Sequence, residues 1–123
     1  MQTAITWFEI PVADLDRAQR FYETVLDRKL ERADWGQGAF AMFPKDDAAT
    51  GGCLQSGQNT SARAGSGMRI YLDCMPGIDA ALARVEAAGG KIISGKVELP
   101  HGIGFIASIR DTEGNEVGLH ARA

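Results

Sequence analysis

Asp14-Leu15-Asp16-Arg17-Ala18 opens a helix after a first strand, and sixty-three residues later Gly77-Ile78-Asp79-Ala80-Ala81 opens another after a comparable strand. At that offset Leu15 meets Ile78, Asp16 meets Asp79, Ala18 meets Ala81 and Glu23 meets Glu86. Two copies of one unit in a short chain mean two half-modules facing each other. A cavity between them is the natural seat of function.

Outward from these helix starts, the same order of elements appears twice. Thr3 to Pro11 reads as a strand, with Ile5, Trp7 and Glu9 on one face and Phe8 and Ile10 on the other. Asp14 is an N-cap candidate, and Leu15, Ala18, Phe21, Tyr22, Val25 and Leu26 form a helical apolar stripe. Arg28 to Ala33, Gly38 to Phe43 and Ala49 to Gln55 read as three strands, with a turn at Pro44-Lys45-Asp46-Asp47. Gln55 to Gly67 has almost no apolar bulk and marks the midpoint. The boundaries drawn from it are a first module at 1–57, a linker at 58–66 and a second module at 67–123.

The second half begins with a strand over Met68 to Cys74, with Arg69, Tyr71 and Asp73 on one face. Ile78, Ala81, Leu82, Val85 and Ala88 give a second helical stripe, stopped by Gly89-Gly90. Lys91 to Leu99, Ile103 to Arg110 and Glu116 to Ala121 are three more strands, the last two joined by the turn Asp111-Thr112-Glu113-Gly114-Asn115. The expected fold class is therefore α+β: two βαβββ modules forming a curved mixed-sheet cup with helices outside.

Bulk composition narrows the partners. The chain has 123 residues, 45% apolar and 24% charged, as in an ordinary soluble domain. A net charge of −3 gives no basic field for nucleic acid and no attraction to an anionic membrane. No apolar run reaches bilayer-spanning length, and no secretory signal is visible at the N-terminus, so the expected location is cytoplasmic. Cys53 and Cys74 lack CxxC spacing and read as free thiols; a redox pair would need their Cα atoms within disulfide reach.

Ile10-Pro11-Val12-Ala13-Asp14-Leu15-Asp16-Arg17-Ala18, running into Phe21-Tyr22 and Val25-Leu26, resembles the opening of vicinal-oxygen-chelate proteins. Gly104-Phe105-Ile106-Ala107, Asp111-Thr112-Glu113-Gly114-Asn115 and Val117-Gly118-Leu119 resemble their closing hairpin. The superfamily includes glyoxalase I, extradiol dioxygenases, fosfomycin-resistance transferases and bleomycin-resistance proteins. The resemblance implies paired modules, often in a homodimer, and in the metalloenzymes a divalent ion held by His, Gln or Glu from four strands. That ion needs open positions where neighbouring substrate oxygens chelate. On this chain the four positions fall on Trp7, Arg69, Gly118 and Gly52 or a neighbour of it. Trp and Gly offer no metal lone pair, and Arg stays protonated with no acceptor.

The remaining residues on the same faces are the candidate site: Trp7, Glu9, Arg69, Tyr71, Asp73, Gly118 and His120. So polar a set suits a small-molecule pocket better than a core, since unpaired buried charge is costly. Each has a plainer reading. Trp7 could fill the space of a lost metal or stack on a ligand. Arg69 could be a structural ion or bind a carboxylate or phosphate through its fork. His120 near the terminus could be solvated, and His101 sits on a loop. Asp111, Glu113 and Gly114 suit a hairpin turn better than a calcium loop, because further oxygen ligands are missing. The expectation is a glyoxalase/bleomycin-resistance-like protein, a homodimer, that binds a small organic molecule in the inter-module cup without metal or other cofactor. The alternative is a lyase, isomerase or dioxygenase-type enzyme, with a metal relocated to Glu9, His120 or Asp73, or with His120 or Glu9 as a metal-free general base.

Overall fold

In a computed structural model, which describes residues 7–35, 38–56 and 69–123, the alternation at the head of the chain becomes β1, Trp7–Pro11. The expected strand start at Thr3 and the linker at 58–66 lie outside the described residues. Asp14 does cap helix α1, Leu15–Leu26, its Oδ1 accepting the N–H of Arg17 at 3.0 Å. All six residues of the apolar stripe are buried. The helix ends at Asp27, which takes the left-handed conformation (φ 54°) that a short polar side chain tolerates. Leaving the helix uses Arg28 to Leu30, and the N–H of Leu30 is held by Glu23 Oε2 at 2.9 Å. The next strand, β2, therefore covers Glu31–Trp35 rather than beginning at Arg28.

β3 (Gly38–Met42) and β4 (Gly51–Ser56) complete the first module. The second contains β5 (Tyr71–Asp73), α2 (Ile78–Val85), β6 (Lys91–Leu99), β7 (Gly104–Arg110) and β8 (Glu116–Ala121). The fold is α+β with the βαβββ order twice. Its two four-stranded sheets run β1-β4-β3-β2 and β5-β8-β7-β6. In each, the first strand is an edge strand parallel to the last, and the other pairs are antiparallel. The N–H of Val12 donates to Gln55 O, and the N–H of Cys74 donates to His120 O, each at 2.9 Å. These matching bonds align the modules: Trp7 corresponds to Arg69, and Cys53 corresponds to Gly118.

One face of each sheet is closed by helices. Ile10, Ala41 and Leu54 of the first sheet and Leu72, Ala107, Ile109, Val117 and Leu119 of the second join both helical stripes in one core. The helices are also tied directly, Arg84 donating through Nε and Nη2 to Val25 O at the end of α1 (3.1 and 2.7 Å). That carbonyl belongs to the last turn, where intrahelical partners run out.

The Asp111–Asn115 turn is the second tie between modules. Asp111 Oδ1 accepts the N–H groups of Glu113 and Asn115, both at 2.8 Å. Its Oδ2 accepts the hydroxyl of the fully buried Tyr22 at 2.7 Å. Asn115 Nδ2 donates to Pro11 O at 2.7 Å. Glu113 reaches the start of α1: Oε1 accepts the N–H groups of Ala13 and Asp14 (2.9 and 2.8 Å), and Arg17 donates to both carboxylate oxygens (2.7 and 2.9 Å). In a capping box the glutamate that binds the N-cap N–H comes from the third helical position. Here that position is Arg17, which recruits Glu113 from the other module. Protein donors account for the carboxylates of this turn, as expected of a hairpin rather than a calcium loop.

Candidate ligand site at the seam between the modules

Because β1 and β5 are edge strands, the ends of both sheets meet a region that neither module fills. A cavity of about 570 Å³ lies there, within the usual range for small-molecule pockets. β1 contributes Phe8 to its lining, the end of α1 contributes Leu26 and Arg28, and the β3–β4 connection contributes Phe43, Pro44 and Thr50. The second module contributes every residue from Arg69 to Asp73. The apolar wall is aromatic: the Phe8 and Phe43 rings lie 5.5 Å apart and tilted by 42°, and Tyr22 supports Phe43 from the core, edge-on at 5.8 Å.

Opposite this wall are charges. Arg28 Nη1 donates to Asp73 O at 2.6 Å, and its Nη2 lies 4.0 Å from the Asp73 carboxylate. Arg69 Nη2 lies 3.2 Å from Glu116 Oε2, while Arg110 Nη2 holds Glu116 Oε1 at 3.0 Å. One carboxylate thus serves two guanidiniums. Arg110 Nε is buried without a hydrogen-bond partner.

Of the seven candidate residues, Arg69, Tyr71 and Asp73 line the cavity. Trp7, Glu9, Gly118 and His120 stand on the faces away from the helices and are not part of that lining. Trp7 and Tyr71 are each about half exposed, and each ring lies across a glycine on the neighbouring strand. A Cβ at Gly51 would come within 2.8 Å of the Trp7 ring, and one at Gly118 would overlap the Tyr71 ring. Gly118 therefore serves as a seat for Tyr71. His120 Nε2 donates to Ile103 O at 2.8 Å, which fixes the proton on that nitrogen. His101 lies in a 3₁₀ turn, Pro100–Gly102, and its side chain is outside the described residues.

Sequence reasoning missed the rest of the lining, Phe8, Arg28 and Phe43 foremost among it. Alternation sorts a strand into two faces, and Phe8 falls opposite Trp7 and Glu9. A cavity at a strand edge draws on both faces, so alternation cannot find it. The available signal was the aromatic pair Phe8 and Phe43, one near the start and one near the end of the first module.

The positions expected to ligate metal do not fit one. Trp7 is an indole, Arg69 is a paired guanidinium and Gly118 has no side chain. The fourth position is settled by the register. Gly52 faces the Phe8 ring on the helix side, so its neighbour Cys53 is the residue that matches Gly118. Cys53 is fully buried, and burial, followed by the charge of Glu9, pushes its thiol up to about 11. Among the described residues no three of His, Cys, Asp and Glu are grouped to hold an ion. Cys53 and Cys74 are free and buried, and burial also raises the Cys74 thiol. No helix among the described residues is long and apolar enough to cross a membrane.

Residues 4–119 match the model of the Glyoxalase/Bleomycin resistance protein/Dioxygenase superfamily. No curated protein matches the chain. Among solved structures, a glyoxalase/bleomycin resistance protein from Streptomyces sp. CB03234 is similar at 24% identity, with TM-score 0.71 and coverage of 95% of this chain and 99% of that one. An antibiotic binding protein from the same organism is similar at 24% identity, with TM-score 0.70 and coverage of 98% and 97%. A glyoxalase I variant from Zea mays is similar at 24% identity and TM-score 0.70; the match covers 94% of this chain but only 45% of the maize protein. The present chain therefore spans about half the length of the maize enzyme.

Proposed function

The chain belongs to the Glyoxalase/Bleomycin resistance protein/Dioxygenase superfamily, and from that premise we propose that it binds a small organic molecule between module 1–57 and module 67–123, without a metal. The observation that carries this reading is the seam cavity of about 570 Å³, lined by the aromatic rings of Phe8 and Phe43 and by the guanidinium groups of Arg28 and Arg69. The donor set at the metal positions supports binding rather than metal-assisted turnover, since none of Trp7, Arg69 and Gly118 can ligate an ion. Arg69, Tyr71 and Asp73 contact the ligand from the second module, and Phe8 and Phe43 cover it from the first.

Trp7, Tyr71, Val97 and Ile103 are large apolar residues left 46 to 51% exposed. This supports a homodimer in which a second copy covers the faces carrying Trp7, Glu9, Gly118 and His120. Sedimentation of the purified protein tests this, with a dimer expected and a monomer at high concentration contradicting it. A cytoplasmic location belongs to the same reading, and cell fractionation checks it.

Thermal denaturation against a library of aromatic and polycyclic compounds tests the binding function. A cavity ligand at a hundredfold excess over its Kd adds about 2.7 kcal/mol to stability. Phe43→Leu removes one ring of the wall and should weaken any such ligand while the protein stays folded. Hits indifferent to this substitution would contradict the reading.

A further inference from the structure

We infer that the seam cavity selects an organic acid, an apolar body carrying one anionic group such as a carboxylate or sulfonate. The inference rests on the cavity being the binding site and adds the charge of the guest. Three observations converge on it. Among the described residues, the charged members of the lining are Arg28, Arg69 and Asp73, two cations against one anion. The single anion is weakly placed to neutralise them: the Asp73 side chain is 65% exposed, and its Oδ1 is occupied by the N–H of Met75 at 2.9 Å. Arg69 is also incompletely neutralised, because Glu116 divides its two oxygens between Arg69 and Arg110.

The backbone adds a donor. β5 bonds to β8 through Ile70 and Cys74, as the N–H of Gly118 donates to Ile70 O and the N–H of Cys74 donates to His120 O. In a parallel ladder successive residues turn their backbone groups to opposite sides, so Tyr71 and Asp73, which alternate with Ile70, Leu72 and Cys74, turn theirs away from β8. Arg28 already uses one of these, the carbonyl of Asp73, so the outward direction is the seam. The N–H of Tyr71 points the same way. An anion at this place meets the free edge of a guanidinium fork and a strand-edge N–H, both suited to a planar acidic group. A cationic guest would meet two guanidiniums with only Asp73 to oppose them. Phe8, Phe43 and Pro44 form the opposite wall and take the apolar body.

Fluorescence titration with anilinonaphthalene sulfonate and its uncharged counterpart phenylnaphthylamine separates charge from shape, since the two dyes share an aromatic body. The sulfonate should bind about tenfold more tightly, the worth of a hydrogen bond to a charged group. Arg69→Gln should weaken the sulfonate about tenfold and the neutral dye by much less, so that the ratio between the two dyes collapses. Glu116 keeps Arg110 in that variant. Asp73→Asn, at an exposed side chain, should tighten the sulfonate about twofold, and serves even if the arginine variant does not fold. Equal binding of the two dyes, with both substitutions silent, would overturn the acid preference while leaving the cavity as a binding site. Failure of both dyes to bind would overturn the cavity reading itself, and the acid preference with it.

Discussion

Replacing Glu113 by glutamine should unfasten the second module from the head of α1. Burial pushes the Glu113 carboxyl up, but Arg17, the N–H of Asp14, the Thr112 hydroxyl and the N–H of Ala13 outweigh it and hold the group at about 2, against 4.5. Each unit is about 1.4 kcal/mol of preference for the charged form, so the carboxylate contributes at most about 3 kcal/mol. Arg17 is 47% exposed and regains water when unpaired, which lowers the expected cost of Glu113→Gln to about 2 kcal/mol. The sign follows from the depressed value. The stabilisation is complete above the unfolded-state pKa near 4.5 and is lost as pH falls toward 2. Urea denaturation of both proteins across that window is the assay. At neutral pH the variant should be less stable by about 2 kcal/mol, and the difference should shrink steadily on acidification. A neutral-pH difference below about 0.5 kcal/mol, or one that ignores pH, would refute the reasoning, because a surface substitution without such a role falls in that range.

Three further outcomes follow from the same contacts. Tyr22→Phe removes the hydroxyl from Asp111 and should cost about 1 to 2 kcal/mol in denaturant melts, since a buried carboxylate oxygen loses a donor. Gly118→Ala forces the Tyr71 ring off its seat; it should cost about 1 kcal/mol and weaken cavity ligands, as seen in a dye titration. Dialysis against a chelator should leave both the melting temperature and ligand binding unchanged, because the strand positions where the metal ligands of related enzymes would fall carry Trp7, Cys53, Arg69 and Gly118. A fall in either would identify a metal site outside the described residues.

The repeat made the architecture legible. Asp14 caps its helix, the first apolar stripe is buried throughout, the second is buried at Ile78, Ala81 and Val85 with Leu82 and Ala88 half-buried, and each half has the same strand order, because these features depend on local chemistry and periodicity. The approximate match of Trp7 to Arg69 also holds in the register, through the paired Val12 and Cys74 bonds. The site was less legible. Side-chain alternation separates Trp7 from Phe8 but says nothing about the open edge of β1, where Phe8 meets Arg28 and Phe43. Arg28 lies just after a helix that a left-handed aspartate terminates, and only the tertiary packing carries its side chain to Asp73. Glu113 was read as part of a turn. Its bonds to Ala13, Asp14 and Arg17 span about a hundred residues of sequence, so no local pattern announces them.

Amide chemical-shift mapping with phenylnaphthylamine tests the central claim most directly, since it locates binding without presuming the charge of the guest. The account predicts shifts concentrated at Phe8, Arg28, Phe43, Thr50 and Arg69 to Asp73, the walls of the seam cavity. Shifts confined to Trp7, Val97 and His120, with the seam unmoved, would contradict it.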